Sequence, residues 1–289
     1  MVTHLKNFQA TGQANGANKS LSARVESDDP FRYGYRTVPE TLRDGKIRYH
    51  YLPLTQADFL DPQEGDHLTQ SDPHLKFVIS LVNRFEKYYL HLGSVGVFSD
   101  LKMRWNIPGL KEPAPDLAIV PGLQNKTKYR GTFDVSEEGA RPCLVVEVVS
   151  PNYPGDDTEK VDIYRLAGIQ EYIVVDPHFD EEDATWKLKG WRLRQGQYQT
   201  MQPDAQGRFL SETTGVWFAL TEDKRDLLLT DAATGEKLLT VEEEYEARLL
   251  AEANAAHQTQ RADAEQKRAD AAEAEVARLR ALLDKRNGV

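Results

Sequence analysis

Two apolar runs with one short amphipathic stretch between them constrain this chain more than any other feature. CLVVEVV at 143–149 and IQEYIVVDP at 169–177 are short, β-branched and bounded by turn residues, so they read as strands. Between them, Lys160, Val161, Tyr164 and Leu166 follow Asp156 and Asp157 and precede Gly168, a helix with its start and stop signals in place. Strand, helix and strand joined by short connections predict a parallel, right-handed crossover in an α/β sheet. Glu147 is the anomaly, because an isolated carboxylate inside an apolar strand costs several kcal/mol or takes up a proton.

The remaining text can be placed around this unit. Thr55 or Asp58 can cap a short helix, and Asp72 followed by Pro73 starts a longer one. Its apolar positions Leu75, Val78, Ile79, Val82, Phe85 and Tyr89 follow the helical spacing, and Gly93 ends it. VGVFSDLKMRW at 95–105 and PDLAIV at 115–120 read as strands, separated from CLVVEVV by a polar excursion. Residues 184–230 read as shorter antiparallel strands with turn signals at Gly190, Gly196, Gly207 and Gly215. Three regions are expected: a flexible N-terminal arm over 1–35, a folded domain over 36–238, and a long helix over 239–289.

That last helix rests on composition and period. No Gly or Pro occurs from 241 to 286, and Ala, Glu and Arg dominate. Val241, Arg248, Ala255, Ala262, Ala269, Val276 and Leu283 recur every seven residues, with Ala251, Ala272 and Leu279 in the companion row. This thin heptad seam predicts a coiled coil, joining a second copy or a partner protein over 241–286.

Composition narrows the function classes. The single cysteine, Cys143, excludes an internal disulfide framework and every multi-cysteine zinc pattern. It lies in an apolar strand with no electropositive neighbour, so it reads as an inert core thiol. The seven histidines show no HExxH spacing. No run approaches the ~18 apolar residues of a membrane span, and the polar start lacks a signal-peptide core, so a cytoplasmic protein is expected. A net charge of −10 disfavours a broad grip on nucleic acid phosphates. Any DNA contact is therefore local and weakly held.

Three charged residues stand out: Asp116 at the start of PDLAIV, Glu147, and Lys160 on the crossover helix. If the two strands pair, both carboxylates project from one sheet edge toward a common point. They repel unless a cation lies between them. Oxygen ligands completed by water suit Mg²⁺ or Mn²⁺, and such an ion can polarise a phosphoryl oxygen and acidify a water. Lys160 would hold or activate that water or neutralise charge on the phosphate. Tyr164, one turn on, lies on the same helical face and could orient the lysine.

PDLAIV, then LVVEVVSPN, then DDTEKVDIYRLAGIQEYIVVDP resemble the Uma2 family, also called DUF820, of restriction-endonuclease-like proteins in the PD-(D/E)XK nuclease superfamily. The resemblance spans roughly 50–235, and QEGDHLTQSDPH is similar to the family's approach to its first long helix. It implies a mixed sheet flanked by helices and a metal-dependent endonuclease site, carried over as Asp116 and Glu147 for metal. One position departs from the superfamily pattern: where a lysine stands two after the glutamate, this chain has Val149. Lys160 is the expected replacement. Glu64 in QEGD and His74 at the head of the long helix are supporting candidates; each also reads as an ordinary loop carboxylate or helix-start group. The alternative function is a catalytically weak or inactive nuclease-fold module that binds or regulates through its C-terminal coiled coil.

Basic residues cluster at Lys126, Lys128 and Arg130 and in WKLKGWRLRQGQYQ at 186–199. The second stretch could offer an aromatic and cationic strip to a nucleic acid. An ordinary hairpin with its lysines on the wet face is the preferred reading.

Overall fold

The computed structural model describes residues 29–63, 65–150, 155–177 and 185–286. In chain order these form a hairpin of β1 (Gly34–Thr41) and β2 (Ile47–Pro53), helix α1 (Gln56–Leu60), β3 (Asp66–Leu68) and helix α2 (Asp72–Tyr88). There follow β4 (Gly96–Phe98), β5 (Lys102–Arg104), β6 (Leu117–Val120), β7 (Thr132–Asp134), α3 (Val135–Glu138) and β8 (Leu144–Val148). Helix α4 (Glu159–Leu166) leads to β9 (Glu171–Asp176), β10 (Lys187–Arg194), β11 (Gln197–Thr200), β12 (Phe209–Ser211), β13 (Val216–Leu220) and β14 (Leu227–Asp231). Helix α5 (Val241–Arg286) closes the chain.

The central sheet has six strands in the order β11-β10-β9-β8-β6-β4. β8 and β9 run parallel across α4, as the crossover requires, while the other pairings in this sheet are antiparallel. The sheet is mixed, as expected. Both of its faces are covered, which is why its middle strands are continuously apolar rather than alternating. Leu117, Ile119, Leu144, Val146, Ile173 and Val175 face one core with Leu81 and Phe85 of α2 and Phe218 and Leu229 of the small β12-β13-β14 sheet. Ala118, Val120, Val145, Tyr172 and Val174 face the other, with Tyr164 of α4 and Trp105. By alternation Glu147 shares the α4 side with Val145, so the helix that carries Lys160 lies over it.

Several boundaries differ from the sequence reading. The run 95–105 is two strands, not one: Asp100 takes a left-handed φ of 50°, and β5 leaves the sheet to pair in parallel with β7. The polar excursion contains β7 and α3, the latter capped by the Asp134 side chain. Along α2 the buried positions are His74, Val78, Leu81, Arg84 and Phe85, while Leu75 and Ile79 are exposed. The stripe is rotated because Leu81 and Phe85 lie on the sheet while His74 points at its edge. The helix stops at Tyr88 rather than Gly93. Gly190 is not a turn: it lies inside β10, where a Cβ would come within 2.7 Å of the Met201 sulfur.

β1 begins at Gly34, inside the stretch read as an arm, and the buried Tyr33 ring packs on Phe59 at 6.2 Å. Residues 1–28 of that arm lie outside the described residues. Thr55 caps α1 in a reciprocal box with Asp58. Helix α5 is 46 residues long, roughly 70 Å at 1.5 Å per residue; it begins at Val241 rather than 239, and residues 287–289 lie outside the described residues. Among the described residues no helix is long and apolar enough to cross a membrane.

Candidate functional site

β6 and β8 pair antiparallel with Leu117 opposite Val146, which sets Asp116 beside Glu147 at the same end of the sheet. The Val148 N–H donates to Asp116 Oδ2 at 2.8 Å, and the Asp116 N–H donates to Glu147 Oε2 at 3.4 Å. Each residue's carboxylate thus accepts from the other strand's backbone. The two predicted carboxylates are neighbours because the strand register makes them so.

Lys160 reaches this edge from α4. Its Nζ lies 3.1 Å from Glu147 Oε1 and 2.8 Å from Asp156 Oδ1. Tyr164, one turn later, donates its hydroxyl to the same Glu147 Oε1 at 2.5 Å. Tyr164 therefore holds the glutamate, not the lysine as its helical spacing suggested. Arg141, just before β8, donates to the Ala167 carbonyl.

From the other side of the edge, the His74 Nε2 stands 3.2 Å from Asp116 Oδ1. The ring is buried, and the α2 cap position belongs to Ser71, so His74 is a member of the cluster rather than a cap. Glu64 lies outside the described residues. Two further acids join that sequence reading did not nominate. Asp156, read as a helix opener, is 3% exposed and sits four residues before Lys160, the i,i+4 spacing that would have revealed the pair. Asp100 lines the same cleft through its left-handed turn, a placement with no sequence signal beyond Asp tolerating that conformation.

Crowding several carboxylates around one ammonium drives their ionisation apart. Burial pushes Glu147 up to about 8; Lys160 opposes the rise, and Asp116 and Asp156 add to it. Burial also raises Asp156 to about 6 against the pull of Lys160, and Asp100 to about 6 with help from the Asp116 charge. Asp116 goes the other way. Burial works against its charge, but the hydrogen bond and charge of His74, then Lys160 and the Val148 N–H, hold it below the ordinary carboxylate range. His74 is raised in return, since the Asp116 contact outweighs its burial. Lys160 is raised despite burial by the charges of Asp156, Glu147 and Asp116. It keeps its proton at any physiological pH.

The cleft these groups line has a volume of about 20 Å³, room for about one water-sized particle. Among the described residues no three His, Cys, Asp or Glu side chains are spaced to hold an ion by themselves. Asp116 and Glu147 nevertheless suit a hard divalent cation. They are oxygen donors within a buried excess of carboxylates, and Mg²⁺ commonly takes one or two protein carboxylates and keeps several waters.

The basic stretches lie elsewhere, and several of their bases are paired with acids. Lys128 and Arg130 pair with Glu138. Arg192 pairs with Glu171 and Glu212, and Lys189 with Asp157. Trp191 stacks on Tyr172 at 5.4 Å and Trp186 meets Phe77, so these rings pack against the body. Cys143 is buried and burial raises its thiol above the usual value, in keeping with an inert core residue. A much larger cavity of about 590 Å³ lies between α2 and the root of α5; Tyr88 and Asp231 hydrogen-bond beside it.

A family model described as "Uma2: Putative restriction endonuclease" matches residues 66–222. A search of curated proteins found no match. Among solved structures the chain is similar to one titled "Crystal structure of a putative nuclease belonging to DUF820 from Anabaena variabilis ATCC 29413". Identity is 17% and the TM-score 0.35, over 58% of this chain and 78% of that one. The family match spans more than half of the chain, contains Asp116, Glu147, Lys160, Tyr164 and His74, and meets the resemblance drawn from PDLAIV and LVVEVVSPN: this chain belongs to the Uma2 family.

Proposed function

We propose that this protein is a metal-dependent endonuclease that hydrolyses phosphodiester bonds in DNA, with Asp116 and Glu147 as the ligands of Mg²⁺ or Mn²⁺. The observation that carries the reading is the set of buried Glu147 and Lys160 with half-buried Asp116 at one sheet edge, with Nζ 3.1 Å from Glu147 Oε1, in a chain of this family. When bound, such an ion supplies polarisation of a phosphoryl oxygen and a more acidic water.

The chain's own residues divide the remaining work. Lys160 stays protonated, so it serves as a fixed cation that neutralises charge developing on the phosphate, not as a base. That sharpens the sequence reading, which left water activation open to it. Asp156 aims the ammonium, Tyr164 fixes the Glu147 carboxyl, and His74 orients Asp116. The small cleft admits a water or an ion but no nucleotide, so the phosphodiester approaches from outside.

A second reading is supported by α5, whose Val276, Leu279 and Leu283 are exposed along the two rows of the heptad seam: a nuclease-fold module that binds or regulates through a self-pairing helix. Supercoiled-plasmid nicking separates the two. Wild type with Mg²⁺ or Mn²⁺ is expected to nick, and Asp116→Asn and Glu147→Gln to lose at least a hundredfold in rate. Equal nicking by all three would mean a contaminant and remove the enzyme reading.

A further inference from the structure

The hairpin β1–β2 does little for the core. All seven residues of β2 and the last four of β1 are exposed, so its outer half has solvent on both faces. A two-stranded hairpin of this kind is marginal by itself, yet it displays Tyr49, Tyr51 and Ile47, each more than half exposed. The register places Pro39 across from Tyr49 and Thr37 across from Tyr51. Strand alternation therefore puts both tyrosines on one face, and Tyr35 meets Tyr51 edge-on at 5.1 Å.

The root of the hairpin sits on the rim of the candidate site. Gly34 pairs with Leu68, which lines the cleft beside Lys160. Tyr33 packs on Phe59, whose ring lies 5.9 Å from Lys160 Nζ. Charge also distinguishes the hairpin. Residues 34–53 contain four Arg or Lys and two Asp or Glu, a net of +2 in a chain of −10, so the rest carries −12. The outer edge strand bears Arg48, and Lys46 stands just before it in the turn; like charges of this kind discourage edge-to-edge pairing with a second copy.

We propose that this hairpin is an arm that binds single-stranded nucleic acid, stacking unpaired bases on Tyr49 and Tyr51 and leading the strand to the cleft; the inference rests on the nuclease reading above. Two residues along a strand span about 6.8 Å, twice the ~3.4 Å per-strand rise of stacked duplex. Successive bases can occupy both rings only when drawn apart, so the arm selects unstacked strands over duplex. Arg43, Lys46 and Arg48 supply the phosphate contacts near the tip.

Fluorescence anisotropy of a labelled oligothymidine, with full-length protein in EDTA, tests this without any cleavage. Tyr49→Ala and Tyr51→Ala are each expected to weaken binding roughly tenfold. Tyr49→Phe and Tyr51→Phe keep the ring and are expected to bind as wild type, and a duplex of equal length to bind at least tenfold more weakly. Circular dichroism and light scattering accompany each variant. Absence of binding by wild type, unchanged affinity in the alanine variants, or equal loss in the phenylalanine variants overturns the proposal. So does a fall in molar mass with no change in affinity, which would make the face a contact between copies. Wild type that binds through the tyrosines but never nicks plasmid retires the nuclease reading alone; nicking with unchanged alanine-variant affinity retires the arm alone.

Discussion

The Tyr164 hydroxyl and the Lys160 ammonium converge on one atom, Glu147 Oε1, at 2.5 and 3.1 Å. One helical turn separates the two donors, and both point down from α4 onto the β8 face that carries Glu147. An acid that looked misplaced in an apolar strand is therefore held by two donors on the helix that covers it. Removing either donor has different consequences, because one carries a charge.

Lys160→Met leaves Glu147 and Asp156 buried without their shared cation. Breaking a buried pair by removing one partner costs about 3–5 kcal/mol, so the urea midpoint at pH 8 is expected to fall accordingly. Tyr164→Phe removes one hydrogen bond from a buried carboxyl and is expected to cost about 1–2 kcal/mol, with nicking reduced but not abolished. A lysine variant as stable as wild type would show that Lys160 does not neutralise the cluster.

The Glu147 carboxyl makes stability depend on pH in a definite direction. Its folded pKa, about 8, lies above the ordinary 4.5, so the folded state binds the extra proton between those values. Stability from this group is complete below about pH 4.5 and is lost as pH rises through about 8. In EDTA, thermal unfolding of wild type is expected to decline over that window more steeply than that of Glu147→Gln. Parallel profiles would place the proton on another group.

Metal binding draws on the same proton. A cation held by Glu147 needs the carboxylate, so binding displaces a proton. Added Mn²⁺ is expected to raise the melting temperature more at pH 8 than at pH 6, and to have no effect on Asp116→Asn at either pH. The comparison uses differential scanning fluorimetry, and a shift in Asp116→Asn equal to that of wild type would assign the ion to another site.

Much of this was legible in the text. The crossover of β8, α4 and β9 follows from two apolar runs around a capped helix, and once β6 is set beside β8, Asp116 and Glu147 must meet. The departure at Val149 was legible as well; the reach of Lys160 was not, since it depends on how α4 lies across the sheet. Asp156 did carry a signal, its i,i+4 spacing to Lys160, which its reading as a helix opener left unused; Asp100 was hidden because its place comes from a left-handed turn, which leaves no spacing signal. The hairpin was missed for another reason. Its Asp44-Gly45 turn and the alternation of Ile47, Tyr49 and Tyr51 with Arg48 and His50 were readable, but the facing strand carries Pro39 and no such alternation.

Gly34 is where the hairpin joins the body, and it can be broken there. Its φ is 109°, and a Cβ would stand 1.8 Å from the His67 carbonyl oxygen, a backbone atom that cannot swing aside. Strain of this backbone kind costs about 1–3 kcal/mol before any clash. Gly34→Ala is expected to separate β1 from β3 and loosen the arm while leaving the central sheet intact. Hydrogen exchange should then quicken over 34–53 and not over β8 and β9; uniform acceleration would mean that the hairpin is part of the global folding unit.

Helix α5 carries the last expectation. Its heptad row is alanine through the middle, at Ala255, Ala262 and Ala269, but Val276, Leu279 and Leu283 expose apolar area together near its C-terminal end, and an isolated helix gains nothing from displaying them. Pairing with a second copy would bury that row, with the alanine-rich middle making the association weak. Sedimentation of the full chain is expected to show a concentration-dependent dimer that Val276→Asp with Leu279→Asp converts to monomer. The root of α5 is tied to the body by Lys87 with Glu244 and Lys237 with Glu243, so the double variant leaves the folded domain and its nicking unchanged. A monomeric wild type at all concentrations would remove self-pairing and leave the helix to a different protein.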